Sequence, residues 1–307
     1  MKKEEFTYPS SDGKTQIHAI RWVPDGVPKA VLQIVHGMTE YVDRYDRFAR
    51  VLAENGFLVT GNDHLGHGKS VTDEKKLGYF ADSEGNCKVL SDIHKLHELT
   101  AAAYPDKPYF MLGHSMGSFL CRQYIAEHGN TLTGAIVMGT GMQPGTMTAF
   151  GKVLCRAIAG AKGWDYRSAL VNNIATGSYN KRFEGNTGRE WLSTDAAHVA
   201  KYADDPLCTY MFTVNGYYNM FDSIYKLSKT DYVERMPKDL PILFVSGEDD
   251  PVGDYGKAVR QVYESFRKLG MKDVEMILYP GDRHEILSEK DKETVDGDIL
   301  SWLKKYL

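Results

Sequence analysis

Short apolar runs alternate with longer stretches of helical period along most of this chain. Ala30-Val31-Leu32-Gln33-Ile34-Val35 is nearly continuous in apolar character, as expected of a strand covered on both faces. Phe57–Thr60, Tyr109–Leu112, Gly134–Met138, Pro241–Val245 and Val274–Tyr279 read the same way. Between these runs the period changes. A helix is predicted over about Tyr45–Glu54, with Phe48, Val51 and Leu52 apolar and Gly56 placed as its C-terminal cap. Another covers about Cys87–Ala103, where Val89, Ile93, Leu96 and Thr100 share a face. Further helices are predicted from Ser118 through Ile125, around Val259, Val262, Phe266 and Leu269 (closed by Gly270), and over Glu293–Tyr306. At the N-terminus, strands Phe6–Tyr8 and Gln16–Ile20 flank the turn signal Ser11-Asp12-Gly13-Lys14. Alternating strands and helices imply an α/β fold, a mostly parallel sheet covered on both faces.

The alternation stops between about residues 143 and 236. This stretch holds no convincing buried strand and is rich in aromatics, and Met211, Val214, Tyr218, Phe221 and Tyr225 fall at helical spacing. A helical packing core accounts for many of them. An insertion here also falls between two sheet strands, above their carboxyl ends, where open α/β folds bind ligands. The expected division is therefore a core of residues 1–142 and 237–307 and a helical cap, or lid, of residues 143–236 that lines the substrate site.

Bulk composition narrows the function class. The chain has 307 residues, 42% hydrophobic and 25% charged, ordinary values for a globular protein. A net charge of -4 leaves no basic surplus for nucleic acid. The cysteines Cys87, Cys121, Cys155 and Cys208 form no C-x-x-C pair, so a zinc ribbon or dithiol site is not expected, and Cys121 reads as a buried free thiol. Met1-Lys2-Lys3-Glu4-Glu5-Phe6 is no signal peptide, and no run of about 18 apolar residues could span a membrane. A cytoplasmic location is the expectation. A weak peripheral membrane contact through the cap rim stays open, although no basic amphipathic helix is evident. Oligomeric state is not legible.

The chemistry is carried by Gly113-His114-Ser115-Met116-Gly117, a G-x-S-x-G set between a predicted strand and a predicted helix. That context is a nucleophile elbow, in which Ser115 takes a strained backbone conformation and its glycine neighbours let strand and helix approach. A serine needs a base. His284 follows the last long strand after the Gly281 turn, and Asp249-Asp250 follow the Ile242–Val245 strand. The chain order Ser, Asp, His is that of the α/β-hydrolases. Either Asp249 or Asp250 could orient His284, but adjacent turn residues point apart, so only one does. Oxyanion donors are expected from the backbone N–H of Met116 and, in His36-Gly37-Met38-Thr39-Glu40 after the Val31–Val35 strand, of Met38. His18, His128 and His198 read as solvated loop residues. Asp63-His64-Leu65-Gly66-His67-Gly68-Lys69-Ser70 and the His94/His97 pair show histidines three apart. Neither makes a metal set or a phosphate loop, and the first reads better as a glycine-rich loop bonding the backbone beside the site.

Together the His36–Glu40, Asp63–Ser70, Gly113–Ser118, Gly247–Val252 and Gly281–His284 segments resemble the monoacylglycerol lipase and lysophospholipase branch of the α/β-hydrolases, also labelled serine aminopeptidase-like. The resemblance runs from about residue 5 to 305. It implies an α/β-hydrolase fold with an inserted cap and a cofactor-free serine esterase acting on small-molecule, single-chain lipid esters. Its G-x-x-D turn selects Asp250, and Glu40 and Arg44 match positions on the alcohol side of the site. The chain departs from it at Thr39, where glycine or alanine is usual, and at Tyr41 and Leu287, where histidine is usual. An aminopeptidase or amidase of the same fold, and a non-catalytic binding homologue, are the alternative readings.

Overall fold

The two N-terminal runs pair as a hairpin in a computed structural model that describes residues 1–307. Strand β1 (Lys2–Pro9) lies antiparallel to β2 (Gln16–Val23), about the turn at Ser11–Lys14. The remaining strands are β3 (Ala30–Val35), β4 (Phe57–Asn62), β5 (Tyr109–His114), β6 (Gly134–Met138), β7 (Ile242–Gly247) and β8 (Val274–Tyr279). They build one 8-stranded sheet in the order β1-β2-β4-β3-β5-β6-β7-β8. The pairings of β1 with β2 and of β2 with β4 are antiparallel, and all later ones are parallel.

Every residue of β3 through β7 is buried, the signature of a sheet covered on both sides. Alternate residues feed separate cores. Leu32, Ile34, Leu112 and Ile136 pack under α1 (Asp46–Glu54) and the last helix, through Phe48, Leu52, Val295 and Trp302. Val31, Val35, Met111 and Val137 pack on the other face under α2 (Gly85–Ala103) and α3 (Met116–His128). Cys121 is a free buried thiol in that second core.

The connection from β6 to β7 contains no strand. It holds α4 (Gly145–Lys162), α5 (Ala169–Thr176), α6 (Ala196–Asp204), α7 (Val214–Leu227) and the short α8 (Thr230–Val233), before α9 (Lys257–Lys268) and α10 (Lys292–Lys304) complete the chain. Local chemistry starts these helices: Asp195 accepts from Ala197 and His198 N–H to cap α6, and Thr213 Oγ1 caps α7 through Gly216 N–H. The buried face of α7 is Val214, Tyr217, Phe221 and Ile224, rotated from the expected stripe, which included Tyr218 and Tyr225. The rotation follows from two asparagines on the same helix. Asn215 bonds Phe80 N–H and the Ala81 carbonyl, and Asn219 accepts from Asn86 N–H, so α7 is pinned to the segment leading into α2. No helix is long and apolar enough to cross a membrane.

Candidate active site

The carboxyl ends of β3, β5, β7 and β8 carry the segments singled out in the sequence. Between β5 and α3, Ser115 has φ 54 and ψ −122, a conformation that costs a non-glycine residue energy and persists only where its surroundings enforce it. The enforcement is visible. Ser115 N–H donates to the Met138 carbonyl (3.0 Å), and Ser118 N–H returns to the Ser115 carbonyl (2.8 Å). A Cβ on Gly113 would run into the Gly117 carbonyl, and one on Gly117 into the Val35 carbonyl. Both glycines are therefore demanded by close approach.

His284 arrives on the loop after β8. Its Nδ1 lies 2.9 Å from Asp250 Oδ2. Asp250 is fully buried, and Val252 N–H (2.8 Å) and Ser246 Oγ (3.4 Å) donate to its carboxylate. Asp249, next in line, is exposed. The choice between them thus falls on Asp250 for contact with the imidazole. With Nδ1 occupied, Nε2 is the ring nitrogen left for a hydroxyl. The His284 ring packs between His114 (4.7 Å between centroids) and Trp191 (5.0 Å).

Met38 and Met116 flank Ser115 in one cavity, which His284 also lines. Met116 opens α3, so its N–H has no preceding turn to bond, and the positive end of the helix dipole points at the same place. The loop carrying Met38 is braced from several sides. Glu40 Oε1 accepts from Gly37 N–H, from Tyr45 OH (2.9 Å) and from His114 Nδ1 (3.1 Å). Thr39 sits at φ 53, and Tyr202 from α6 donates its OH to the Thr39 carbonyl (2.9 Å) while sharing a bond with Thr39 Oγ1. Burial alone would raise the Glu40 carboxyl. The His114 hydrogen bond and the Arg44 charge hold it below the usual range instead.

The Asp63–Ser70 loop stands behind this brace. Asp63 spends its carboxylate on Val42 N–H, Lys69 N–H and His18 Nδ1, all at 2.8 Å. His36, His64 and His67 form a buried ring cluster, with His36 stacked on His64 at 3.9 Å. These histidines order backbone: His36 Nε2 accepts from His64 N–H at 3.0 Å, and His67 Nδ1 faces the Leu65 carbonyl. The expectation that His18 and His198 are solvated is corrected here. His18 lies buried on β2 between Asp63 and Glu5, and His198 on α6 bonds Glu285 and Arg44. His128 closes α3 and stacks on His94. A histidine's strand or helix position is visible in sequence, but its cross-chain carboxylate partner is not.

Arg44 and Glu40 form part of an ion network. Arg44 grips Glu285 with two bonds (2.9 and 2.8 Å), reaches Glu40 at 3.2 Å and lies over the Tyr202 ring. Arg44 and His198 together draw the Glu285 carboxyl well below its usual range against the opposing effect of burial. Glu285, Tyr202 and Trp191 are site residues outside every motif, and His114 stands in one only as its variable position. Only the position of His114 inside G-x-S-x-G, and of Glu285 beside His284, could have drawn attention.

Two cavities meet at this network. The one at Ser115 measures about 70 Å³ and is roofed from the insertion by Tyr179, Trp191, Tyr217 and Met220. Its neighbour measures about 470 Å³, is lined by Glu40, Arg44, His198, Tyr202, Glu285 and Leu287, and shares Glu40, His114, Tyr202 and Glu285 with the first. Tyr41 also borders it and donates to Asp205 (2.8 Å).

Comparison with known proteins identifies the family. Residues 26–291 match the serine aminopeptidase S33 family model. A highly thermostable carboxyl esterase from Bacillus coagulans, solved in complex with glycerol, is 32% identical and superposes with a TM-score of 0.92 over 100% of this chain and 99% of that one. The monoglyceride lipase of Homo sapiens is 27% identical over 297 residues, covering 92% of this chain and 85% of that protein. A soluble variant of monoglyceride lipase from Saccharomyces cerevisiae, in complex with a substrate analog, shares the fold at 22% identity and a TM-score of 0.78, over 100% of this chain and 97% of that one.

Proposed function

Because the chain belongs to the serine aminopeptidase S33 family of α/β-hydrolases, we propose that it hydrolyses single-chain lipid esters of the monoacylglycerol type. That it is a carboxylic ester hydrolase follows from its relatives. The substrate and the residue roles are our reading. Ser115 Oγ attacks the ester carbonyl as His284 Nε2 takes its proton, and Asp250 holds the imidazole tautomer and balances the imidazolium. The Met38 and Met116 N–H groups receive the oxyanion. The tetrahedral adduct collapses as the alkoxide leaves with the proton from His284. Water, deprotonated by the same histidine, then releases the acid. The chemistry uses this chain's own groups and water.

The observation that carries this reading is the 2.9 Å contact of His284 Nδ1 with Asp250 Oδ2, beside a strained Ser115 in a common cavity. The roof of aromatic and methionine side chains suits an acyl chain, and the adjoining polar cavity suits a polyol leaving group. At about 70 Å³ the Ser115 cavity is far below the ~300–1,000 Å³ of small-molecule sites, so residues 143–236 act as a lid that opens for substrate. The exposed side chains Met147, Phe150 and Val153 of α4 and Leu170 and Ile174 of α5 give that lid an apolar outer face suited to a lipid surface. An aminopeptidase would need a free carboxylate for the substrate ammonium. Glu40 and Glu285 are both engaged by Arg44, which favours the ester. Rates on monoacylglycerols and on aminoacyl amides, measured side by side, test the assignment. A preference for the amides would overturn it.

A further inference from the structure

A second groove, far larger than the catalytic cavity, opens between α9 and the connection that leaves β6. It measures about 1240 Å³ and shares no residue with the cavity at Ser115. Its walls are apolar at Met142, Ile224, Leu227, Val233 and Leu269, and Arg122 of α3 lies among them.

Arg122 is the anomaly. It is 6% exposed, yet it forms no ion pair. Its Nη1 donates only to the Gly141 carbonyl (3.1 Å) and Thr140 Oγ1 (3.4 Å), and its Nε has no partner. Burial pushes its pKa down to about 10, and no carboxylate opposes that effect; the neighbouring Cys121 thiol is itself buried and held neutral, its pKa pushed up to about 12. Buried cations are ordinarily paired, because an unpaired one forfeits its hydration without return. The guanidinium fork is shaped for a carboxylate or phosphate oxygen pair. The groove rim carries Lys257, Arg260 and Lys268 with Glu234 and Glu264; Lys257 pairs with Asp254 and Arg260 with Glu248, so Arg122 is the cation in the groove wall that lacks a carboxylate. The 18-residue helix α4 begins at Gly145 on the same edge and turns its positive end there.

We infer that this groove binds a fatty acid anion, its carboxylate on Arg122 and its chain along the apolar walls. An inorganic anion would use the cation and leave the walls idle, and a neutral lipid would use the walls and leave the cation unpaired. A fatty carboxylate satisfies both, and it is the acid product of the proposed ester hydrolysis, so the identity of the occupant rests on that reading. A chain of hydrogen bonds runs from this site to the catalytic one. Thr140 Oγ1 accepts from Arg122 and shares a 2.8 Å hydrogen bond with Ser118 Oγ, which in turn donates to the Ser115 carbonyl (2.6 Å).

The test uses enzyme whose catalytic cavity is filled by a long-chain alkyl fluorophosphonate, with labelling confirmed by intact mass. Laurate is then titrated calorimetrically. The expected result is saturable laurate binding to the blocked enzyme, tighter than that of acetate or inorganic phosphate and weakened at least about tenfold in Arg122→Gln. Met142 is 47% exposed, so Met142→Glu leaves the fold intact and sets a like charge beside the carboxylate; it is expected to weaken laurate binding even if Arg122→Gln does not fold. The inference is overturned by no binding to the blocked enzyme, by unchanged laurate affinity in Met142→Glu, or by phosphate binding as tightly as laurate. Failure of the fluorophosphonate to label the enzyme counts against the proposed nucleophile alone. In that case the Met142→Glu titration on unlabelled enzyme still decides the groove.

Discussion

His114 Nε2 stands 3.3 Å from the backbone carbonyl oxygen of His284. The residue just before the nucleophile therefore holds the loop of the candidate base, while its other ring nitrogen faces Glu40, which receives Gly37 N–H from the oxyanion loop. Burial opposes charge on His114, but the Glu40 hydrogen bond and charge prevail and raise its pKa above 6.5. A protonated ring satisfies both acceptors. Replacing it with phenylalanine releases both loops at once. His114→Phe is expected to lower kcat on a soluble ester by about 10- to 100-fold with little change in KM, measured by steady-state kinetics. A linkage effect accompanies it. The raised His114 contributes stability that is fully present below pH 6.5 and is lost as pH rises through the raised value, whereas the lowered Glu40 contribution is lost as pH falls through its own value; melting curves of the variant should lack the first slope.

The buried histidine cluster has the opposite sense. Burial depresses His64 to about 3 and His67 to about 4, against 6.5 for a free imidazole, and His36 also lies well below. Neutral burial therefore contributes stability that is full above pH 6.5 and is lost as pH falls through those lower values. The melting temperature should fall on acidification from about pH 7 to about pH 4, and His64→Asn should flatten the fall. Asp282 acts in the opposite direction over the acid-to-neutral range. Burial first, and then Glu289, raise its carboxyl to about 7 from 3.8, so its contribution is present below 3.8 and lost as pH rises through 7. Asp282→Asn should gain on the wild type over that interval, read as the difference between two melting curves.

On the outer face of α4, Phe150 is 62% exposed among other apolar side chains. An aromatic side chain leaving water contributes enough to set the partitioning of a weakly bound protein. Phe150→Asp is expected to reduce co-sedimentation with phospholipid vesicles about tenfold, with hydrolysis of a water-soluble ester unaffected. Equal sedimentation of the two proteins would remove the lipid-surface role from the lid.

Much of the frame is legible in the sequence. Strands buried on both faces are apolar throughout, so β3 through β7 announce themselves, and the turn between β5 and α3 is written in Gly113 and Gly117. His284 and the Asp249-Asp250 pair stood at strand exits, where position carries meaning. What stayed hidden depends on contacts across the chain. The face of α7 was misjudged because Asn215 and Asn219, polar but buried, anchor it to residues 80–86. His18 and His198 looked solvated because their carboxylates come from Asp63 and Glu285, 45 and 87 residues away. The Arg44–Glu285 pair joins segments 241 residues apart, and no local pattern encodes it. The roles of Glu40 and Arg44 came from resemblance, and the structure adds that both carboxylate and guanidinium are spent on neighbours around the site.

The most direct test of the central claim is covalent labelling of Ser115. Wild-type protein and Ser115→Ala are incubated with an alkyl fluorophosphonate, mapped by peptide mass spectrometry and assayed on a monoacylglycerol. The expected result is one adduct, on the Ser115 peptide of the wild type, and in Ser115→Ala neither adduct nor turnover beyond the roughly 10³–10⁴-fold residual that binding and oxyanion donors supply over water. An adduct on a different residue, or wild-type turnover in Ser115→Ala, would contradict it.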